Sequence, residues 1–576
     1  MKNLKYSEIL SKNQKLKLAG NTKTYNVSVI SNITINPIKE ILDYSFKLDG
    51  IKNKIKVYQQ DNIVDKIAKH SNTDALIIFF ELANLKENFN TKVNLLSNRE
   101  LEELINFLKS TIDMILSNSN TPMILFNKFS SLIFSSSAVE KNKFEYISEQ
   151  LNLYLENKKD KKLKLINLDK IISSLGIKES IDLRLFYGTK SLYSVNFYKS
   201  YAEFIKPLIL SLSGKSKKVL IFDCDNTLWH GVLGEDGREN IQMSDKNYEG
   251  RIFQQIQEKT LELYEKGIFI CLCTKNNYSD VIEVIKEHKD MKLKENNFSL
   301  IKSNWKNKID NIIEISKELN VGLNSILFVD DSEFELGLVK KKIPEVRTFK
   351  VPSDISNYFY LFNKETEIFH NLYETSEDKL RNQDFKNQLK RKSQKAKFIK
   401  IDDYLSSLNM KVKICLNDKK NISRISQMTL KTNQFNLTTH RYVEKQIKEF
   451  LENQKYLIFT LSLKDKFGDS GITGLAIIKV DKKTKTSAID TFLLSCRIIG
   501  RNVEYVFMDY IIAYLKKKKI KLVRSSYIKT NKNDQVKNFY KECSFVLEKN
   551  ENSNKYYSVS INKYKQSLLR YISIND

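Results

Sequence analysis

Two aspartates, Asp223 and Asp225, follow the apolar run Val219 to Phe222, and Thr227 stands two places further on. A short buried strand brings both carboxylates to one mouth, because side chains two apart share a face. In D-x-D-x-T the first carboxylate can attack phosphorus or hold a divalent metal, and the second can pass a proton to the leaving group. Spacing alone decides nothing, since acidic pairs after a strand also arise as solvated turns. Three later stretches add the other parts: CLCTKNN (Cys271 to Asn277), SNWKNK with Trp305 and Lys308, and ILFVDDSEFE with Asp330 and Asp331. All three follow apolar, strand-like runs. They supply Thr274 for phosphoryl oxygens, Lys308 as a cation, and carboxylates for Mg²⁺, with Asp223, Asp225, Asp330 and Asp331 as the expected ligand set.

The elements that must position these residues repeat along a chain of 576 residues, enough for roughly three or four domains. Residues 1–213 open with a lysine-rich helical lead and then alternate strands (YNVSVIS, KIKVYQ, DALIIFFEL, PMILFN, LKLINL) with helices, which implies a parallel α/β sheet. Residues 214–375 continue that alternation as a doubly wound domain, whose ligands collect at the carboxyl ends of strands. Residues 376–398 read as a charged helical linker with no core signal of its own. From 399 to 576 the pattern becomes α+β: AIDTFLLS is a strand, CRIIGRN a turn and VEYVFMDYIIAYLKKK a helix. That turn offers backbone N–H groups at a helix N-terminus, a cradle for phosphate or pyrophosphate. The fold class is therefore α/β and multidomain.

Composition narrows the function classes. A hydrophobic content of 41% with 11% aromatics is that of folded domains. No apolar run reaches the ~18 residues of a membrane span, and the N-terminus lacks a signal-peptide core, so the expectation is a soluble cytoplasmic protein with no membrane insertion. Six cysteines, at 224, 271, 273, 415, 496 and 543, show neither disulfide-scaffold density nor zinc spacing and are expected to be reduced. The net charge of +27 is mostly lysine spread over the whole chain, so nucleic acid is not the expected partner. The positive field instead favours phosphorylated substrates or an acidic carrier protein.

Taken in order, DCDNTLWHGVLGEDG, TKNN, Trp305-x-x-Lys308 and VDDSEFE resemble the haloacid dehalogenase (HAD) superfamily, and specifically its FkbH-like branch. The resemblance extends to KTNQFNLTTHRY (Lys431 to Tyr442), DKFGDSGITGLA, SCRIIGRNVE and TNKNDQVKNFYKECSF, over about two thirds of the chain. One departure is His230, where the family usually has a second glycine; it is expected on the rim of the metal mouth. The resemblance implies an SGNH-hydrolase-like N-terminal domain. Here the nucleophile position reads Ile30-Ser31-Asn32 without a late Asp-x-x-His, which leaves a degenerate scaffold with Ser31 as a minor candidate. It also implies a GNAT-like C-terminal domain. The Arg497-x-x-Gly500-x-Asn502 cradle departs from that fold's pattern at its last position, and Arg497, Gly500, Arg501, Asn533 and Tyr540 are the expected cofactor-binding residues.

The family implies glyceryl transfer: 1,3-bisphosphoglycerate, a phosphorylated three-carbon molecule, loses phosphate and its acyl group passes to the phosphopantetheine thiol of an acyl carrier protein, or to coenzyme A. Attack of Asp223 on phosphorus would discard the acyl activation, so thioester formation needs a thiol at the carbonyl carbon. Cys224 and Cys496 compete as relay thiols, and direct transfer to the carrier is a third route. Cys271 and Cys273 lie in an apolar run and are expected to be core. His440, Arg441 and Asp469 fall at loop positions suited to a polyhydroxylated or phosphorylated ligand, or to a capped turn network. A plain phosphatase whose GNAT-like domain binds substrate, and acyl modification of a surface glycan precursor, remain the alternatives.

Overall fold

Apolar runs buried on both faces pair as parallel strands, and such runs dominate the first 350 residues. The computed structural model describes residues 1, 4–16, 23–59, 73–119, 121–135, 139–160, 162–370, 381–395, 398–530, 532–567 and 569–575. The chain forms two compact units, Met1–Ser213 and Gly214–Asp576.

The first unit is a five-stranded parallel sheet of β1 (Tyr25–Ser31), β2 (Asn53–Gln59), β3 (Ala75–Phe79), β4 (Ile124–Asn127) and β5 (Leu163–Ile166), in the order β2-β1-β3-β4-β5. Its longer helices are α1 (Tyr6–Lys15), α2 (Ile38–Leu48), α3 (Asn98–Ser117), α4 (Lys143–Glu156) and α5 (Val195–Leu212). A capping box, with Ser97 and Glu100 each accepting from the other's N–H, starts α3, which buries Leu101, Ile105, Leu108, Ile112 and Ile115 on one stripe. At the crevice between β1 and β3, where strand order reverses, side chains seal the sheet. Asn32 donates to the Glu81 carbonyl at 2.8 Å and accepts from its N–H at 2.7 Å, and Tyr193 donates to the Glu81 carboxylate at 2.9 Å. Ser31 is fully buried with its hydroxyl donating to the Ile33 carbonyl at 2.9 Å, so it is a turn residue and not a nucleophile.

The second unit begins with a parallel sheet of β6 (Val219–Phe222), β7 (Phe269–Thr274), β8 (Leu300–Ser303), β9 (Ile326–Asp330) and β10 (Arg347–Lys350), ordered β10-β9-β6-β7-β8. Helices α6 (Tyr248–Glu265), α7 (Tyr278–Glu287), α8 (Lys308–Glu318) and α9 (Glu333–Lys342) alternate with these strands. The order reverses between β6 and β9, so their carboxyl ends flank the crevice where such sheets bind ligands.

Residues 381–395, within the expected charged helical linker, are helical but not free of core contacts. This helix, α10 (Arg381–Lys395), packs on both neighbours. Asn382 donates to the Tyr264 and Ile268 carbonyls, Phe385 meets the Phe269 ring at 5.6 Å, and Arg391 forms a bidentate pair with Asp465 at 2.8 and 2.7 Å. A stripe this narrow vanishes in a segment average, which is why the sequence reads as core-free.

The C-terminal part is a mixed sheet, β17-β18-β16-β15-β14-β13-β11-β19, formed by β11 (Met410–Leu416), β13 (Tyr456–Asp465), β14 (Gly468–Asp481), β15 (Thr486–Leu494), β16 (Leu522–Tyr527), β17 (Val546–Glu551), β18 (Asn554–Ser560) and β19 (Ile572–Asn575). Helices α11 (Ile422–Lys431) and α12 (Glu444–Glu452) cover one face through Ile425, Met428 and Ile447, and α13 (Val503–Lys517) covers the other. Strands β15 and β16 are parallel and paired only from Thr486/Leu522 to Ile489/Ser525. Past that point the short β12 (Phe435–Asn436) pairs with β15, and the Leu437 carbonyl accepts from the Ile528 N–H at 2.8 Å. Among the described residues no helix is long and apolar enough to cross a membrane.

Candidate phosphoryl-transfer site

Strand β6 carries Asp223 to the crevice, where its backbone N–H bonds the Val329 carbonyl of β9 at 3.0 Å. The chain then turns through Asn226 in the left-handed region and returns at Gly231, where φ is 101° and a Cβ would meet the Asp236 carboxylate at 2.8 Å. This turn lays two donors on the Asp225 carboxylate, and the segment after β7 adds a third. Trp229 Nε1 and the Leu233 N–H reach Oδ1 at 3.0 Å each, and Asn276 Nδ2 reaches Oδ2 at 2.8 Å.

The other strand ends complete the mouth. Thr274 closes β7, nearly fully buried, with its hydroxyl accepting from Asn276 at 3.1 Å. Lys308 is the first residue of α8, whose N-cap Asn307 accepts from the Ile309 N–H at 2.9 Å. Its ammonium lies 2.9 Å from Asp223 Oδ1 and 2.7 Å from Asp330 Oδ2. Asp330 at the end of β9 is fully buried and accepts from the Ser332 N–H at 2.8 Å. Asp223, Asp330 and Asp331 each offer an oxygen, all within 4.8 Å of one another.

Electrostatics fit a cation at that point. Burial pushes the Asp223 carboxyl above its ordinary range against the pull of Lys308, and Asp331 rises through burial and the charge of Asp223. Burial works against the Lys308 ammonium, yet Asp223 and Asp330 hold its pKa above the ordinary value. Three carboxylates converge here and only Asp223 and Asp330 pair with the ammonium, a donor set suited to a small divalent ion.

The structure brings together Asp223, Thr274, Lys308, Asp330 and Asp331, and sets the other expected residues elsewhere. Asp225 is not among the carboxylates whose oxygens converge, and its own oxygens accept from Trp229, Leu233 and Asn276. Cys224 is fully buried, and burial followed by the nearby aspartates pushes its thiol well above the ordinary value, so it offers no thiolate. Cys271 and Cys273 are buried in β7 with thiols raised by burial. His230 pairs through its backbone with Gln242, and its ring lies tilted against that of Phe253 at 5.8 Å. Trp305 is 70% exposed and donates to Asn277 at 3.1 Å.

Cys496 is exposed but lies at the opposite end of the sheet. It lines a cleft of about 480 Å³ with Lys218, Phe269 and Asn324, at the amino ends of the strands whose carboxyl ends carry the aspartates. The expected cofactor cradle is also built differently. Arg497 pairs with Asp384 at 2.6 Å, and Arg501 is buried against Asp465 at 2.9 Å. Gly500 is a turn residue at φ 80°. Asn533 is fully buried and donates to the Asn436 and Ile528 carbonyls at 2.9 Å, pinning β12 in place. Tyr540 is core, with its hydroxyl raised by burial. An arm entering between β15 and β16 would meet β12 already there. Sequence reasoning missed Trp229 and Asn276 as holders of Asp225; the signal for Asn276 was an amide two places after the strand-end threonine.

The sheet that carries this crevice has a HAD-like α/β fold. Residues 218–385 match the family model of NLI interacting factor-like phosphatases. Among solved structures the chain is similar to the N-terminal part of the protein BF1531 from Bacteroides fragilis, described as containing a phosphatase domain complexed with Mg. The identity is 24%, the match covers 64% of this chain and 99% of that one, and the TM-score is 0.56. Smaller matches include the ribosomal-protein-S18-alanine N-acetyltransferase of Escherichia coli (12% identity, 27% of this chain and 98% of that one, TM-score 0.21). Another is a mutant form of the spermidine/spermine N-acetyltransferase SpeG of Vibrio cholerae (12% identity, 27% and 95%, TM-score 0.22). No curated protein matches the chain.

Proposed function

We propose that the chain is a Mg²⁺-dependent enzyme of the haloacid dehalogenase type that acts on 1,3-bisphosphoglycerate, removes phosphate and passes the glyceryl group to the thiol of an acyl carrier protein. The observation that carries the phosphoryl chemistry is the cluster of Asp223, Lys308, Asp330 and Asp331 at the β6/β9 crevice. The Mg in the Bacteroides structure supports the choice of ion. Held by Asp223, Asp330 and Asp331, the ion would neutralise charge on the phosphoryl oxygens. Lys308 and Thr274 bind those oxygens. Asp223 attacks the ester phosphorus, Asp225, fixed by Trp229, Leu233 and Asn276, protonates the leaving alkoxide, and water then cleaves the aspartyl phosphate, which releases phosphate and returns the Asp223 carboxylate.

Acyl transfer follows a different bond. The carrier thiol attacks the carbonyl carbon of the acyl phosphate, the C–O bond to phosphate breaks, and phosphate leaves with the electron pair. Burial of Cys224 favours direct transfer to the carrier over a relay at that residue. A plain phosphatase is the second reading, favoured by the fixed Asp225, which serves ester hydrolysis and takes no part in acyl transfer.

Intact-protein mass spectrometry with Mg²⁺, enzymatically generated 1,3-bisphosphoglycerate and a phosphopantetheinylated carrier separates the two. A glyceryl increment on the carrier, lost in Asp223→Asn, supports transfer. An earlier increment on the enzyme, lost in Cys496→Ala, would identify a relay. Phosphate release with no acylated protein sinks the transferase reading.

A further inference from the structure

The C-terminal sheet holds a polar constellation that the aspartate site does not use. His440 Nδ1 lies 3.2 Å from both carboxylate oxygens of Asp490, and the Tyr442 hydroxyl donates to the same carboxylate at 2.6 and 2.9 Å. Asp490 also accepts from the Thr491 hydroxyl at 3.2 Å. His440 is 48% exposed and Asp490 20%, so the ring stands at the surface with its carboxylate beneath it. Its other nitrogen, Nε2, makes no hydrogen bond among the described residues.

Two backbone irregularities aim these groups at each other. Ile477 is opposite Thr491 and Ile478 opposite Ile489, so Asp490 is the extra residue of a β-bulge in β15. A bulge gives up pairing and re-aims a side chain. Thr439, just before His440, is β-branched and held at φ 56°, a strained conformation that persists only where its surroundings over-determine it. They do so here: the Thr439 N–H donates to Asn436 Oδ1 at 2.8 Å, the Thr438 hydroxyl donates to the Asp490 carbonyl at 2.8 Å, and Arg441 is anchored on the Thr429 carbonyl and Asn433. Strand β12 and its continuation thus run down β15 and deliver His440 where β15 and β16 part.

We propose that His440, oriented by Asp490 and Tyr442, is the base that takes the proton of the acceptor thiol, in an acyl-transfer site separate from the aspartate crevice. This rests on the acyl-transfer reading above and divides the labour: the crevice cleaves the phosphate ester, and the His440 site breaks the acyl phosphate. The S–H proton moves to Nε2 as sulfur bonds the carbonyl carbon and phosphate departs with the C–O electron pair. The hydrogen bond that His440 Nδ1–H donates to the Asp490 carboxylate raises the imidazole above its ordinary basicity, which suits a thiol better than a hydroxyl. With β12 filling the gap between the strands, the thiol arrives from the solvent side. His440 is the catalytic residue; Asp490 and Tyr442 are positioning residues.

The test uses the full chain with Mg²⁺, 1,3-bisphosphoglycerate and pantetheine as the soluble thiol, read by mass spectrometry. His440→Ala should lower kcat for thioester formation by about 100-fold or more with KM for pantetheine little changed, and added imidazole should restore part of the rate. Asp490→Asn should move the alkaline-rising limb of the pH profile to lower pH, since Asp490 is the carboxylate facing the ring, Tyr442 is a neutral hydroxyl, and Arg441 is engaged on Thr429 and Asn433. Asp223→Asn should still acylate pantetheine, now with a phosphoglyceryl group, one phosphate heavier. If Asp223→Asn abolishes all acylation while the wild type acylates, the acyl-transfer reading stands and the separate site falls. A His440→Ala variant that transfers at the wild-type rate, or loses activity without response to imidazole, overturns the proposal. A wild type that acylates nothing overturns both.

Discussion

Lys308 is the counterion of two buried carboxylates, and its removal leaves Asp223 and Asp330 uncompensated. Breaking such a buried pair costs roughly 3 to 5 kcal/mol. Lys308→Met is therefore expected to unfold at lower urea in the presence of a chelator, and to recover more than the wild type does when Mg²⁺ is added, because a divalent ion supplies the missing charge. Equal Mg²⁺ shifts in the two proteins would count against a metal at these carboxylates. At this scale the sequence was informative wherever a residue follows directly on an apolar strand: Asp223, Thr274 and Asp330 are strand-end residues, and the parallel sheet gathers strand ends. It was silent on the Asp225 clamp. Trp229 and Asn276 come from different segments, and only the left-handed turn at Asn226 and Gly231 brings the first of them back.

Among elements, the alternation of strand and helix was legible, and the structure has the parallel sheets it implies. Helix α10 and strand β12 were not, since each draws its stability from partners remote in sequence. Arg391 on α10 shares Asp465 with Arg501, so Arg391→Leu should cost roughly 3 kcal/mol. Both tryptophans, Trp229 and Trp305, lie in the HAD-like domain. The urea transition by tryptophan fluorescence should then part from that by far-UV circular dichroism in the variant; transitions that stay together would show that α10 does not couple the two sheets.

The sealed crevice of the first unit makes a pH prediction. Burial lifts Glu81 up to about 7, against the Tyr193 hydroxyl and two backbone N–H groups that pull it down. A carboxyl raised on folding takes up a proton, so its contribution is complete below the ordinary value of 4.5 and is lost as pH climbs through about 7. The loss is of order 3 kcal/mol. Glu81→Gln should flatten this dependence, read by hydrogen exchange in Ala75–Phe79 between pH 5 and 8 after correction for intrinsic rates; an unchanged slope would place the titration elsewhere.

For the whole molecule, a net charge of +27 sets a field that attracts anions. Salt shortens its reach, so kcat/KM for an anionic substrate should fall as ionic strength rises from about 0.02 to 0.2 M while kcat holds. A kcat/KM indifferent to salt would confine recognition to the crevice itself.

Cysteine burial has a practical consequence. Of the six thiols four are buried, Cys415 is half-buried, and Cys496 is exposed, next to the Arg497–Asp384 pair that ties α10 to the C-terminal sheet. Under brief treatment a maleimide dye should therefore mark the unmodified protein chiefly at one place. The fluorophore would sit at the joint between two sheets, and its anisotropy with and without Mg²⁺ would report whether that joint moves when the aspartate crevice is loaded.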